Sequence, residues 1–207
     1  MHMSHAAQLP PELDQVADEI RETVAERGYR VDAAVALDPA FTATRAPYSA
    51  LLRPLVAEAF RRGASISGLG GYEPGMGGSH QIRVLTDGFT YRIFRLRTAS
   101  RTKSGQYIIP NNAASTFAEI DSDTLIHEEL WVFAYTVSDE GIGEIFTAPV
   151  LGATAGSPGN LLLGTVTPLG TLFALPPAGF NPPEDDELEG FSRQHDGQDE
   201  LGFEGEL

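Results

Sequence analysis

The chain has no cysteine and a single lysine, Lys103, among its 207 residues. The lack of cysteine excludes a disulfide scaffold, a thiolate zinc site and a cysteine nucleophile. No apolar run reaches the roughly 18 residues that a membrane-spanning helix needs, and residues 10–27 are acidic and amphipathic, unlike a signal peptide. We therefore expect a cytoplasmic protein with no membrane partner. The 13 arginines beside one lysine favour a GC-rich, bacterial source.

The length and composition allow one folded domain with a tail. Domains usually hold about 100–200 residues, and a hydrophobic content of 42% is enough for a core. We expect residues 1–9 to be a disordered N-terminus or a cloning scar, and residues 10–180 to form a single α+β domain. Residues 181–207 are rich in acid and poor in apolar side chains, which predicts a disordered tail.

Two segments place apolar residues at helical spacing. Residues 11–28 and residues 47–62 each carry one apolar stripe, and Gly28 and Gly63 are the predicted helix ends. Pro54 lies inside the second segment, so that helix either begins at Pro54 or is kinked there. The apolar stripe of the second segment consists of Leu51, Leu52, Leu55, Val56 and Phe60.

The strongest hairpin signal lies between residues 80 and 98. Strand-like residues 80–85 and 90–98 flank an Asp-Gly pair at 87–88, which is typical of a two-residue type I′ turn. With that turn, Arg83 would lie directly opposite Arg92, and the two like charges would repel one another.

The remaining segments indicate more strands and a glycine-rich loop. Residues 68–78 are expected to form a flexible connector. Residues 130–137 are apolar on both alternating faces, which predicts a central strand covered on both sides. Further candidate strands lie at 106–109, 145–151, 161–166 and 171–175. Two helices followed by these strands predict an α+β fold, with N-terminal helices packed on a mainly antiparallel β-sheet.

Acidic residues and a histidine between 121 and 129 are one candidate for metal chemistry. Asp121, Asp123, His127 and Glu128 are residue types that bind Mg²⁺, Mn²⁺ or Zn²⁺. They match neither the H-E-x-x-H zinc motif nor an EF-hand loop, and the chain has no P-loop or Gly-x-Ser-x-Gly elbow. We predict no catalytic residue, metal ligand or cofactor, although whether these four residues form a metal site stays open.

Charge is distributed unevenly along the chain. The net charge is −15, and residues 184–207 hold ten acids against one arginine. Residues 80–103 hold six cations against one acid, Asp87. Guanidinium groups and the hydroxyls between them suit phosphate oxygens. The candidate nucleic-acid or phosphate contacts are Arg83, Arg92, Arg95, Arg97, Arg101 and Lys103.

These six cations have two interpretations. They bind an anion from outside the domain, or they pair with nearby acids such as Glu128, Glu129, Asp139 and Glu144. The first interpretation predicts a non-catalytic nucleic-acid or phosphate-ligand binding domain that uses the basic hairpin.

The acidic tail would moderate that binding. Nucleic acid or another polyanion is then the expected ligand, and the tail is a candidate site for a protein partner. Two alternatives remain. One is a metal-dependent hydrolase or a degenerate nuclease-like enzyme that uses His80 and the acids at 121–129. The other is a protein–protein interaction module.

Overall fold

The computed structural model describes residues 9–75, 79–111, 127–138, 141–156 and 159–170. In these ranges the N-terminal helices pack on one face of a nine-stranded mixed sheet, which confirms the predicted α+β class. The candidate strand at 171–175 and the acidic tail lie outside the described residues. No helix in the described ranges has the length and hydropathy to cross a membrane.

The helices are α1 (Glu12–Val35), α2 (Pro39–Thr42) and α3 (Ala46–Ser67). Both long helices continue beyond their predicted ends, because Gly28 and Gly63 are buried inside them rather than placed after them.

Helix α3 ends instead at Gly68, whose φ of +69° is the left-handed conformation that glycine adopts readily. Pro54 lies inside the helix, where it cannot donate a hydrogen bond to the carbonyl of Ala50.

The apolar stripes of the two long helices form the larger core. The five apolar residues of the α1 stripe are all buried, and they are Leu13, Val16, Ala17, Ile20 and Val24. On α3, four of the five predicted stripe residues are buried. Leu51 is the exception, with 44% of its surface exposed. Leu51 is adjacent to Leu52 in the sequence. Successive residues of a helix are rotated by 100°, so the side chain of Leu51 points away from the core and toward solvent.

The nine strands extend from residue 71 to residue 168. They are β1 (Gly71–Gly75), β2 (Ser79–Leu85), β3 (Thr90–Arg101), β4 (Tyr107–Ile108), β5 (Pro110–Asn111), β6 (His127–Ser138), β7 (Gly141–Ala153), β8 (Gly159–Leu163) and β9 (Thr167–Pro168). The order in the sheet is β1-β2-β3-β6-β7-β8-β5, with β4 beside β3 and β9 beside β7. The β3–β6 pair is parallel, and the other described pairs are antiparallel.

Strand β6 is the predicted central strand, and it is covered on both faces. Phe133 is fully buried and packs against Phe60 of α3, with 5.1 Å between the ring centroids. Val132 and Ala134 point to the opposite face, called the outer face here, where they join a second and smaller core with Phe146 of β7. Helices cover one face of β6, whereas the 107–111 segment and β8 supply the second core.

The glycine-rich segment is not wholly a loop. Residues Gly71–Gly75 form β1, which pairs with β2, while residues 76–78 lie outside the described ranges. Gly70 allows this pairing, because a Cβ at that position would lie 2.2 Å from the carbonyl oxygen of Arg83. Its φ of +59° also favours glycine.

The predicted register of the β2–β3 hairpin is wrong by one residue. Arg83 lies opposite Ile93, and Arg92 lies opposite Val84. The loop holds four residues, because the carboxylate of Asp87 accepts hydrogen bonds from the backbone nitrogens of Phe89 and Thr90, at 3.0 and 2.6 Å. A shift of one residue moves side chains to opposite faces, so the expected repulsion between Arg83 and Arg92 does not arise.

We predict that replacing Gly63 by alanine destabilises the fold relative to the same change at Gly28. A Cβ at Gly63 would lie 3.0 Å from Cα of Val16, so α1 and α3 must separate, whereas a Cβ at Gly28 meets only Cγ1 of Val24 at 3.5 Å. Both changes gain about 0.5–1 kcal/mol of helix propensity, but Gly63→Ala loses about 1–3 kcal/mol to overpacking. Urea unfolding measures both, and equal stabilities would contradict the close helix packing.

Candidate anion-binding face

Strand alternation divides the six predicted cations between the two faces of the sheet. Arg92 points to the helix side, whereas Arg83, Arg95 and Arg97 share the outer face. Arg101 is the last residue of β3, and Lys103 lies exposed in the turn that follows it. The sequence predicted one cluster, and the alternation of β3 makes it two.

Arg92 belongs to the helix-side core. Only 7% of its surface is exposed, and its Nε donates to Oε2 of Glu129 at 2.8 Å. Its guanidinium also lies 5.3 Å from the ring centroid of Trp131, whose Nε1 donates to the same carboxylate oxygen at 3.2 Å. A buried arginine held by a carboxylate and an aromatic ring serves the packing of β3 on β6.

Arg83 and Arg101 also have carboxylate partners. Arg83 pairs with Glu128 and lies over the ring of Tyr91, 4.3 Å from its centroid. Arg101 pairs with Glu144 at 2.8 Å, and its Nε donates to the carbonyl of the glycine that closes the following turn, at 3.2 Å.

Internal pairing therefore accounts for three of the six cations. The partners are Glu128, Glu129 and Glu144, three of the four acids that the internal-pairing interpretation named. The fourth, Asp139, lies outside the described residues.

Arg95 and Arg97 differ from these three arginines. Nε of Arg95 donates to Oε1 of Gln81 at 3.3 Å, and Nη1 of Arg97 donates to the carbonyl of Leu96 at 3.3 Å. In the part of the chain that the structure describes, no carboxylate lies within 4.0 Å of either guanidinium. The two side chains are half-buried, so their charges are partly removed from water without an opposite charge beside them.

Like charges surround Arg97. Burial lowers its pKa, and the neighbouring positive charges of Arg95 and Arg53 lower it further. Arg95 lies on the same strand as Arg97, and Arg53 lies on α3. An anion bound between Arg95 and Arg97 would offset the repulsion between these two groups.

A small cleft opens beside the two arginines on the outer face. Arg95 and Arg97 form one wall, and the apolar residues Val150 and Leu161 belong to the other. The remaining lining residues are Asn111, Leu130, Trp131 and Val132. The enclosed part holds about 10 Å³, which is room for about one water-sized group.

Only part of the set of residues proposed for metal chemistry lies within the described ranges. His127 and Glu128 are exposed at the start of β6, where Glu128 binds Arg83. Asp121 and Asp123 lie outside the described residues. Within the described ranges, no three histidine, aspartate or glutamate side chains cluster as metal ligands would. His80 shares a hydrogen bond with the hydroxyl of Tyr72 through its Nδ1.

Sequence reasoning missed Arg53, Asn111 and the apolar wall of the cleft. Arg53 is one of three arginines on α3, and only the packing of α3 on the sheet brings its charge close enough to lower the pKa of Arg97. No family model, curated protein or solved structure matches the chain. The chemistry of the cleft is therefore argued from its own residues.

We predict that His80 makes the fold less stable in mild acid. Burial lowers the pKa of His80 from its ordinary value of 6.5, and the charge of Arg53 lowers it further. Below pH 6.5 the unfolded chain binds a proton on this imidazole before the folded chain does. Its contribution to stability is therefore complete above that pH and is lost as the pH falls toward the lower folded pKa.

Melting temperatures at pH 7.5 and 5.5 measure this effect. His80→Gln keeps a partner for Tyr72 and should reduce the loss of stability between these two pH values. His127→Gln changes an exposed imidazole and is the matched control, which should behave like the wild-type protein. An unchanged loss in His80→Gln would refute the assignment.

Proposed function

We propose that this domain is a non-catalytic module that binds phosphate-bearing ligands, nucleic acid among them, and that Arg95 and Arg97 are its principal contacts. One observation carries the proposal. Two half-buried guanidinium groups lie side by side on one face of β3, and no described carboxylate neutralises them. The other four predicted contacts have lesser roles.

Partial burial removes some of the water around Arg95 and Arg97. A charge withdrawn from water without a partner is unfavourable, and the free energy improves when an anion replaces the lost water. A guanidinium group offers a planar fork of donors that matches two oxygens of a phosphate. Side chains two positions apart on a strand stand about 7 Å apart on one face. They can therefore converge on one phosphate or contact two neighbouring ones.

The paired cations extend the positive field but bind less strongly. Arg83 and Arg101 must loosen an existing ion pair before they can contact a ligand, and Arg92 is buried on the opposite face. Lys103 is exposed in the turn after β3, with no described carboxylate within 4.0 Å, and is placed to contact a long polyanion.

In this proposal, the acidic tail weakens the binding of external anions by competing with them for the cationic strand. Residues 184–207 hold ten acids and one arginine, a net charge of −9, on the same chain as the cationic strand. A tethered polyanion competes with an external one, because the tether keeps its local concentration high.

We predict that Arg95→Gln combined with Arg97→Gln weakens binding to short single-stranded DNA or RNA by about tenfold per arginine. The slope of log affinity against log salt should also become smaller by about 0.7 for each phosphate that the variant no longer neutralises. Fluorescence anisotropy over a salt series measures both quantities.

A double variant with the same change in net charge is the control. Arg27→Gln with Arg61→Gln alters two cations on the helices, away from β3. It should leave the affinity within about twofold, because exposed charges beyond the Debye length are screened. Equal losses in the two double variants would mean that only net charge matters, and the proposed site would be wrong.

We predict that deleting residues 184–207 strengthens binding of the same polyanions by on the order of tenfold at low ionic strength, with a smaller gain as salt rises. A full-length variant in which the ten acids become glutamine or asparagine separates charge from chain length. It should bind as tightly as the deletion. If both variants bind like the wild-type protein, the tail has no moderating role.

A further inference from the structure

The cleft beside Arg95 and Arg97 has walls of opposite chemical character. The guanidinium groups form one wall, and Leu130 and Val132 of β6 lie next to them in the sheet, as expected from the pairing of Arg95 with Val132. The facing wall contains Leu161 of β8, with Val150 of β7 beside it. A ligand in this cleft meets positive charge on one side and hydrocarbon on the other.

The apolar wall is held in place by the backbone of two short strands. The backbone nitrogen of Leu161 donates to the carbonyl of Ile109 at 2.9 Å, and Pro110 pairs with Asn160 in the β5–β8 ladder. Ile109 is 1% exposed and anchors this segment in the second core. The wall is therefore built before any ligand arrives, which reduces the entropy that binding would lose.

We propose that the cleft selects a small organic phosphate, a phosphate monoester carried on an apolar or aromatic group. The phosphate would contact Arg95 and Arg97, and the apolar group would lie against Val150 and Leu161. This inference rests on the proposed function and narrows its ligand. Charge and hydrocarbon on facing walls fit both parts of such a molecule at once, which is the usual pattern of small-molecule sites.

A bare phosphate uses only half of the cleft. It satisfies the two guanidinium groups but leaves the side chains of Val150 and Leu161 in contact with water. An apolar group on the ligand removes that surface from water and strengthens binding. The enclosed part of the cleft is about 10 Å³, so only an edge of the ligand enters it and the rest lies across the open mouth.

The test compares three phosphates on the full-length wild-type chain: inorganic phosphate, methyl phosphate and phenyl phosphate. Isothermal titration or NMR titration should give affinities that rise in that order, with phenyl phosphate about tenfold tighter than inorganic phosphate. This comparison needs no variant, so misfolding cannot produce the result.

Two variants of β8 locate the apolar contact. Leu161→Asn places an amide in the wall and should reduce the advantage of phenyl phosphate over inorganic phosphate to about twofold or less. Leu162→Asn alters the neighbouring leucine, which is 48% exposed and does not line the cleft, and should keep the full advantage. Circular dichroism confirms that both variants are folded.

Different failures identify different errors. Equal affinities of the wild-type chain for all three phosphates would overturn the inference and leave phosphate binding by Arg95 and Arg97 intact. An advantage for phenyl phosphate that survives in Leu161→Asn would also overturn it. If Arg95→Gln with Arg97→Gln binds phosphate and single-stranded nucleic acid as well as the wild-type chain does, the proposed function itself is wrong.

Discussion

The parallel pairing of β3 with β6 gives Arg92 a carboxylate partner and places Arg95 and Arg97 beside apolar residues. Ten residue pairs hold the two strands together, and the register sets Arg92 beside Glu129 and Arg95 beside Val132. The acids of β6 occur at its start, so they meet the start of β3, whereas Arg95 and Arg97 lie beside Val132 and Ala134. An antiparallel pairing would reverse this match. The cationic wall of the cleft is thus a direct consequence of strand direction.

Much of the fold was predictable from local patterns, and the failures share a physical cause. Helical spacing identified the buried faces of α1 and α3, and continuous hydrophobicity identified β6 as a strand covered on both sides. The end of α3 was predicted wrongly because Gly63 does not end the helix. It is needed where α3 packs closely on α1, a contact that is distant in sequence. The hairpin register was missed because the hydrogen bonds of Asp87 favour a longer loop. The sequence of neither strand alone indicates that β3 and β6 pair in parallel.

Only part of the candidate site could be predicted from the sequence. A charge count along the chain locates Arg95 and Arg97, but it cannot separate them from Arg83 and Arg92, whose partners come from β6. Pairing depends on register, and register depends on the whole sheet. The apolar wall of the cleft and the nearby Arg53 come from elements far along the chain, and only their packing assembles them.

The order of the strands along the chain also sets the order in which the paired charges appear during synthesis. Domains emerge from the ribosome with their N-terminal part first, so all six cations of the hairpin leave the ribosome before the glutamates at the start of β6. A nascent or truncated chain that ends after β5 carries this cationic strand without Glu128, Glu129 and Glu144. Completing the sheet is the step that gives Arg83, Arg92 and Arg101 their carboxylate partners.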